Sequence, residues 1–261
     1  GRAGTDARTV TGDAVFNKVV GTTARGALSV SGTTTFNAGA TSVDTSSAAN
    51  TGNQTYSGAV TFNDNVVLTA TTAGTIALNG GGSSAGNKNL TIVAPTAVAL
   101  GDGTGADSLT GLGAVDVTSA GGITIKAGAI SGNSTQRYRN AVVLGLDDAN
   151  KTKTLTGTTV TFDDKVDATT AGTEALTVTG DAVFNKVVGT TALGALRVSV
   201  TTTSNAGAPS VATGRPATTA YHTHRRAAPS NDTVAPPAPP PATDALNGTE
   251  RHPAPRDHAQ G

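Results

Sequence analysis

Apolar residues recur at every second position along short stretches of this chain. LTVTG, LSVSG, AVDVT and GITIK each alternate an apolar side chain with a polar one. An extended backbone sends successive side chains to opposite faces, so this period of two predicts strands with one buried face and one solvated face. β-Branched Val, Ile and Thr fill the stretches, as a half-buried pleated surface favours. Gly, Asn and Asp interrupt them every five to ten residues, where the chain must turn. No segment keeps a helical stripe over three turns, so the pattern predicts an all-β chain of many short strands.

The strands belong to a short repeat. All five Phe (Phe16, Phe36, Phe62, Phe162 and Phe184) are followed by Asn or Asp, as in DAVFN, TTTFN, AVTFN and TVTFD. Sequence neighbours among them lie 20, 26 and 22 residues apart. QTYSGAV at 54–60 and QRYRNAV at 136–142 share a second motif, Gln-x-Tyr-x-x-Ala-Val. A loose period of 20–26 residues of strands and tight turns predicts the coils of a parallel β-solenoid. Each coil would bury one row of side chains and pair with the coils above and below. The Phe would stack inward, and the Asn after each would help turn a corner. A β-sandwich with regularly spaced strands is the competing architecture.

A longer repeat is laid over the short one. Residues 7–31 match 175–199 at 22 of 25 positions, and TGDAVFNKVV occurs unchanged at 11–20 and 179–188. The differences are Arg8/Leu176, Arg25/Leu193 and Ser29/Arg197. Residues 33–81 match 201–249 at 23 of 49 positions, without a shift of register, and 82–93 match 250–261 nowhere. The second copy of this 168-residue unit therefore starts at about residue 169 and decays. A solenoid lengthens by adding coils, which a sandwich does not. At roughly 22 residues per coil the unit makes about seven or eight coils, a rod of roughly 35 Å. Residues 1–208 are expected to form the solenoid. Residues 209–261 hold ten of the eleven prolines and all four histidines. PPAPPP at 236–241 cannot donate ladder hydrogen bonds, so this stretch is expected to be a disordered tail. It is either a diverged repeat or a corrupted reading of the encoding DNA, which resequencing separates.

VTGDAVFN, GTTTFN, NTGNQTYSGAVTFNDNVVLTA and GLGAVDVTSAGGITI resemble the repeats of filamentous haemagglutinin-type large bacterial exoproteins, over roughly residues 5–208. The resemblance implies a right-handed parallel β-helix, carried to the cell surface or the medium by an outer-membrane secretion partner as an autotransporter or two-partner-secreted passenger. It implies a filament used in attachment to a host or neighbouring cell, of which this chain is shaft.

Composition adds bounds. Lys and Arg number 18, as do Asp and Glu, so no excess charge points to nucleic acid or an anionic membrane. Only 3% of residues are aromatic, which suits a thin core one side chain deep. Cys and Met are absent. That removes disulfides and thiolate metal sites, and suits a chain exported unfolded; the missing Met is expected of an internal piece of a longer protein. No run of 18 apolar residues predicts a membrane-spanning helix.

The chemistry is sparse, and no catalytic, cofactor or metal site is expected. The acidic pairs Asp147-Asp148 and Asp163-Asp164 would point to opposite faces if they lie in strands. A β-helical polysaccharide lyase or hydrolase would need charged groups converging from neighbouring coils, with Asp116, Lys126, Asp163, Asp164 and Lys165 as candidates. DGTGADSLT at 102–110 matches part of a calcium-binding nonapeptide through Gly103, Gly105, Asp107 and Leu109, but the next nine residues do not repeat it. His222 and His224 form a His-x-His pair within the decayed segment. Nucleophile and phosphate-loop motifs are missing. Asn53, Asn89, Asn133, Asn150, Asn231 and Asn247 head Asn-x-Ser/Thr sequences that chance explains in a Thr-rich chain. A Thr-array solenoid binding ice or another surface would need Thr side chains at one place on successive coils, and TTT at 33–35 and TGTTVT at 156–161 read as isolated. The expected function is structural rather than enzymatic.

Overall fold

The computed structural model describes residues 6–21, 25–45, 52–146, 151–208 and 210–214, and the backbone of 222–224. It is a parallel β-solenoid with three faces, as the alternation and the short repeat predict. Every strand pairing among the described residues is parallel, and no helix occurs there, so none is long and apolar enough to cross a membrane.

Strands are numbered in chain order. The first face stacks β1 (Arg8–Val10), β3 (Leu28–Val30), β6 (Gln54–Tyr56), β9 (Thr75–Leu78), β12 (Ala97–Leu100), β15 (Ile123–Ile125), β18 (Val142–Leu144), β20 (Val166–Ala168), β22 (Val188–Leu193) and β25 (Val211–Thr213). The second stacks β2 (Ala14–Phe16), β4 (Thr34–Phe36), β7 (Val60–Phe62), β10 (Gly82–Ser83), β13 (Ser108–Leu112) and β16 (Ala129–Gly132). The third stacks β5 (Ser42–Asp44), β8 (Val66–Thr69), β11 (Leu90–Val93), β14 (Val115–Thr118) and β17 (Gln136–Tyr138). Two long strands, β19 (Thr152–Phe162) and β21 (Ala175–Phe184), run round the corner and serve both the second and third faces. Then β23 (Leu196–Val198) and β26 (His222–His224) extend the second face, and β24 (Thr202–Ser204) the third. From β3 to β24 this makes eight complete turns.

Burial follows the period of two. Strands such as Leu28–Val30, Val60–Phe62 and Ile123–Ile125 bury their first and third residues and turn the middle one outward. One inward column of the first face runs Val10, Val30, Tyr56, Leu78, Leu100, Ile125, Leu144, Ala168. The aromatic rings form two ladders on different faces. Phe16, Phe36 and Phe62 stack on the second face at centroid separations of 5.3 and 5.9 Å. Tyr138, Phe162 and Phe184 stack on the third at 5.4 and 5.3 Å. Each offset ring pair adds roughly 0.5–1.5 kcal/mol beyond its buried area.

The long repeat is not a whole number of coils. Seven coils carry the chain from Val10 to Ala168, 158 residues. The other ten of the 168 carry it round one more corner, to Val178 on the second face. TGDAVFNKVV therefore crosses from the first face through the second to the third at 11–20, but from the second through the third to the first at 179–188. The Gln-x-Tyr motif is displaced likewise, with Gln54 and Tyr56 on the first face and Gln136 and Tyr138 on the third.

Local geometry survives this rotation. Gly12 and Gly180 have φ of 130° and 133°, and Gly21 and Gly189 have 86° and 83°, a region that only glycine adopts freely. The Gly12 N–H donates to Ser31 Oγ at 2.9 Å, and the Gly180 N–H to Ser199 Oγ at 2.9 Å. Asp13 accepts from the Thr33 N–H, as Asp181 does from the Thr201 N–H.

The solenoid runs a few residues into 209–261, the stretch expected as a disordered tail, most of which lies outside the described residues. Val211 pairs with Val188 as Val43 pairs with Val20, and His222–His224 pair with Leu196–Val198. The proline run at 236–241 lies outside the described residues.

Candidate functional site

Corners are held by side-chain amides. Asn37 donates to Asn17 Oδ1 at 2.8 Å and Asn63 donates to Asn37 Oδ1 at 3.1 Å, so the Asn after each Phe forms a hydrogen-bonded ladder beside the ring ladder. On the third face Asn205, Asn185 and Asp163 repeat the arrangement. The Gln-x-Tyr motif closes a different corner from inside. Buried Gln54 donates to the carbonyls of Val43 and Thr69, and buried Gln136 to those of Ile130 and Thr156. Each Gln Oε1 accepts from its own Tyr hydroxyl, at 2.9 and 2.8 Å, and burial pushes both phenols well above their ordinary pKa. The Thr69 carbonyl also accepts from the Thr45 N–H, so the Gln54 amide adds a second, buried donor at that corner. Asn53 and Asn89 likewise accept from backbone N–H groups of the next coil, while Asn133 is exposed.

The charged candidates divide among three places. On the third face, Asp116 accepts from Arg139 through both oxygens, at 2.7 and 2.6 Å. Asp163 there accepts from Arg137 Nε at 2.7 Å and from Asn185 at 3.0 Å. The Asp116 partnership raises the Arg139 pKa above its ordinary value. Asp164 and Lys165 lie at the corner leading back to the first face. There Asp164 accepts from the Lys165 N–H, and Lys165 Nζ lies 2.9 Å from Asp167, which raises the lysine pKa. Lys126 lies at the corner between the first and second faces, where its Nζ donates to the Asp102 carbonyl at 3.1 Å. Asp116 and Asp163 flank β17 on one face, each in an ion pair with an arginine of the segment between them; the other three do not join them.

Residues 102–107 form a turn closed by its own groups, and 108–110 begin β13. Gly101, Gly103 and Gly105 have φ of 83°, 87° and 74°. Asp102 Oδ1 accepts from the Thr104 hydroxyl and N–H, both at 2.7 Å, and these bonds hold its carboxyl below the usual range. No group of three or more His, Cys, Asp or Glu that could hold a metal occurs among the described residues. Asp147 and Asp148 lie outside them, as do the side chains of His222 and His224.

Two features escaped the sequence reading. The first is a row of hydroxyls on the outside of the second face. Thr35, Thr61, Ser83 and Thr110 oppose one another on successive coils. After an irregularity between Leu109 and Leu112, Ser131, Thr156 and Thr179 continue as a second run. Thr35 of TTT and Thr156 of TGTTVT therefore lie on one face, whereas Thr161 lies on the third. Successive members of the first run lie 26, 22 and 27 residues apart, so no fixed period announces them. The second feature is a pair of buried charged side chains. Lys153 turns inward from β19, with Nζ donating to the Lys126 carbonyl at 2.7 Å, and Glu174 accepts from the Thr170 N–H at 2.9 Å. The parity of Lys153 with Leu155 in TKTLT was the available signal.

Among the described residues, Arg8, Val10, Phe16, Val20, Arg25 and Leu28 line a hollow of about 230 Å³ beside β1. No family model, curated protein or solved structure matches this chain.

Proposed function

We propose that the chain is a structural shaft segment of a secreted or surface-exposed bacterial adhesin that serves cell attachment. The observation that carries this reading is the duplication. Copies of one segment sit on different faces, yet keep the same corner hydrogen bonds and the same glycine conformations. A chain selected to lengthen a rod needs each coil to stack on the last, and does not need any residue on a particular face. A chain selected for a surface site would need its residues fixed in the cross-section. The resemblance to haemagglutinin-type exoprotein repeats supplies the cellular setting. Antibodies raised against the full chain test it. They are expected to label intact cells of the source bacterium, and labelling only after permeabilisation would contradict the reading.

The hydroxyl row favours a second reading, a solenoid that binds ice or another ordered surface through its second face. The test is ice-recrystallisation inhibition by the full chain. Activity lost on substituting Thr61 and Thr156 by Tyr would support it, and no activity in the unsubstituted chain would contradict it.

A further inference from the structure

Most asparagines of this solenoid are tied to a neighbouring coil. Asn17, Asn37 and Asn63 are locked in one amide ladder, and Asn185 and Asn205 in the other. Asn53, Asn65, Asn89 and Asn140 each accept a backbone N–H from an adjacent coil. Asn87 is followed by an N–H that is already engaged, since Lys88 donates to Ser84 Oγ at 3.1 Å. Among the described residues, only Asn79 and Asn133 combine an unbonded carboxamide with an unbonded N–H on the next residue.

Those two groups can react with each other, and what decides is the residue that carries the N–H. Asn133 is followed by Ser134, whose side chain crowds its own nitrogen. Asn79 is followed by Gly80, and no other described asparagine precedes a glycine. Stacking demands that glycine. A Cβ on Gly80 would lie 2.6 Å from the Gly58 carbonyl carbon and 2.8 Å from the Ala59 nitrogen of the preceding coil. The close approach of two coils thus leaves Asn79 beside the least hindered nitrogen a chain can offer. Gly81 and Gly82 follow, so the backbone after Asn79 has the freedom that ring closure needs. Asn79 and Gly80 form a turn between the first and second faces, and both are part-exposed, so water reaches them.

We propose that Asn79 is a site of spontaneous covalent modification, at which the folded chain deamidates through a cyclic imide. The Gly80 nitrogen loses its proton and attacks Asn79 Cγ. The new N–C bond closes a five-membered ring, the bond from Cγ to the carboxamide nitrogen breaks, and ammonia leaves with the proton. Water then opens the ring at one of its two carbonyl carbons. Opening at Cγ gives aspartate. Opening at the main-chain carbonyl gives isoaspartate, with the peptide now routed through the side chain. Water is the one co-reactant. Isoaspartate inserts an extra main-chain atom just before β10, whose two residues, Gly82 and Ser83, are all that pair this coil with Val60–Thr61 below and Leu109–Thr110 above on the second face. The modification therefore loosens β10 and displaces Ser83 from the hydroxyl row. The inference stands on the corner geometry, whether or not the rod serves attachment.

The test ages the full 261-residue chain in mildly alkaline buffer, folded and in urea, and locates aspartate and isoaspartate by tandem mass spectrometry. In the folded chain Asn79 is expected to convert about tenfold faster than Asn133, because glycine leaves its nitrogen unshielded. Asn37, Asn63 and Asn89 are expected to stay intact over that time. Mild acid should slow the conversion, because the attacking nitrogen must shed its proton. Amide exchange at Gly82 and Ser83 should quicken in the aged chain, but not in an aged Asn79→Gln chain, whose longer side chain would have to close a larger ring. Asn79 left intact in the folded chain after it has converted in urea would overturn the proposal, by showing that the corner holds the two groups apart. Conversion of Asn133 ahead of Asn79 would overturn it as well. Unchanged exchange at Gly82 and Ser83 in fully converted chain would overturn the claim that the modification loosens β10.

Discussion

Residues 7–43 and 175–211 are nearly the same sequence folded twice, and they differ in where they sit. In both, the glycine before the Asp takes a φ near 130°, its N–H meets a Ser hydroxyl on the next coil, and a paired Val follows the second corner. Yet Phe16 lies on the second face and Phe184 on the third. The segment thus encodes a strand, a corner and a strand, without encoding which corner. That indifference is possible because the cross-section is filled by one inward side chain from each strand position on every face. A Phe can then stack on whichever Phe or Tyr the coil before it presents. The copies also differ in cover. Phe184 is fully buried beneath Phe162, whereas Phe16 is only part-buried and, among the described residues, stacks on Phe36 alone.

The largest expected effect comes from breaking the covered copy. Phe184→Ala should cost about 3–5 kcal/mol, the usual range for a buried aromatic, and Phe16→Ala less than half of that. Denaturant unfolding of the two variants measures the difference. Gly180→Ala and Gly12→Ala sharpen it next. Both force an alanine into a glycine conformation at about 1–3 kcal/mol, but only Gly180→Ala also drives a methyl into the Gly157 carbonyl, adding about 1–3 kcal/mol. Equal costs would mean that the Gly157 carbonyl yields to the added methyl. Gln54→Leu and Gln136→Leu probe whether faces are interchangeable. Each strands a buried Tyr hydroxyl and removes an amide donor from two corner carbonyls, so each should cost roughly 1–3 kcal/mol, and thermal melts should place the two within ~1 kcal/mol of each other.

Acidification should have the smallest effect. The Thr33 hydroxyl and N–H hold the Asp13 carboxyl below its ordinary 3.8. The Gly39 and Asn65 N–H groups do the same for Asp64, as the Thr104 hydroxyl and N–H do for Asp102. Their pKa values are lowered on folding, so the stability they contribute is complete above 3.8 and is lost as the pH falls below it. Melting temperature followed downward from pH 6 should stay level until that range and then decline slightly, because these groups are exposed.

Strand positions and inward residues were legible because alternation is written locally. LSVSG and GITIK bury the residues that their parity selects. The Phe-Asn pairs announced both the ring ladder and the corner amides. The rotation of the long repeat was not legible. Between Val10 and Ala168 the coils vary from 19 to 26 residues, because loops enter at different corners, and only strand pairing reveals which face a segment occupies. The hydroxyl row was hidden for the same reason. Asp116 and Arg139 lie 23 residues apart in the chain, and their contact too depends on stacking that no motif spells out.

The absence of Cys allows a direct test of the rotation by engineered disulfides. Residues opposite each other on adjacent strands lie within the Cα separation a disulfide needs, roughly 4.4–6.8 Å. Val183 opposes Thr161 on the third face, whereas a repeat made of whole coils would lay it on the second face against Thr156. Oxidation of Thr161→Cys/Val183→Cys is expected to cross-link the chain, and Thr156→Cys/Val183→Cys is expected to stay reduced. The reverse result would show that the 168-residue unit spans a whole number of coils, and that the two copies share one face.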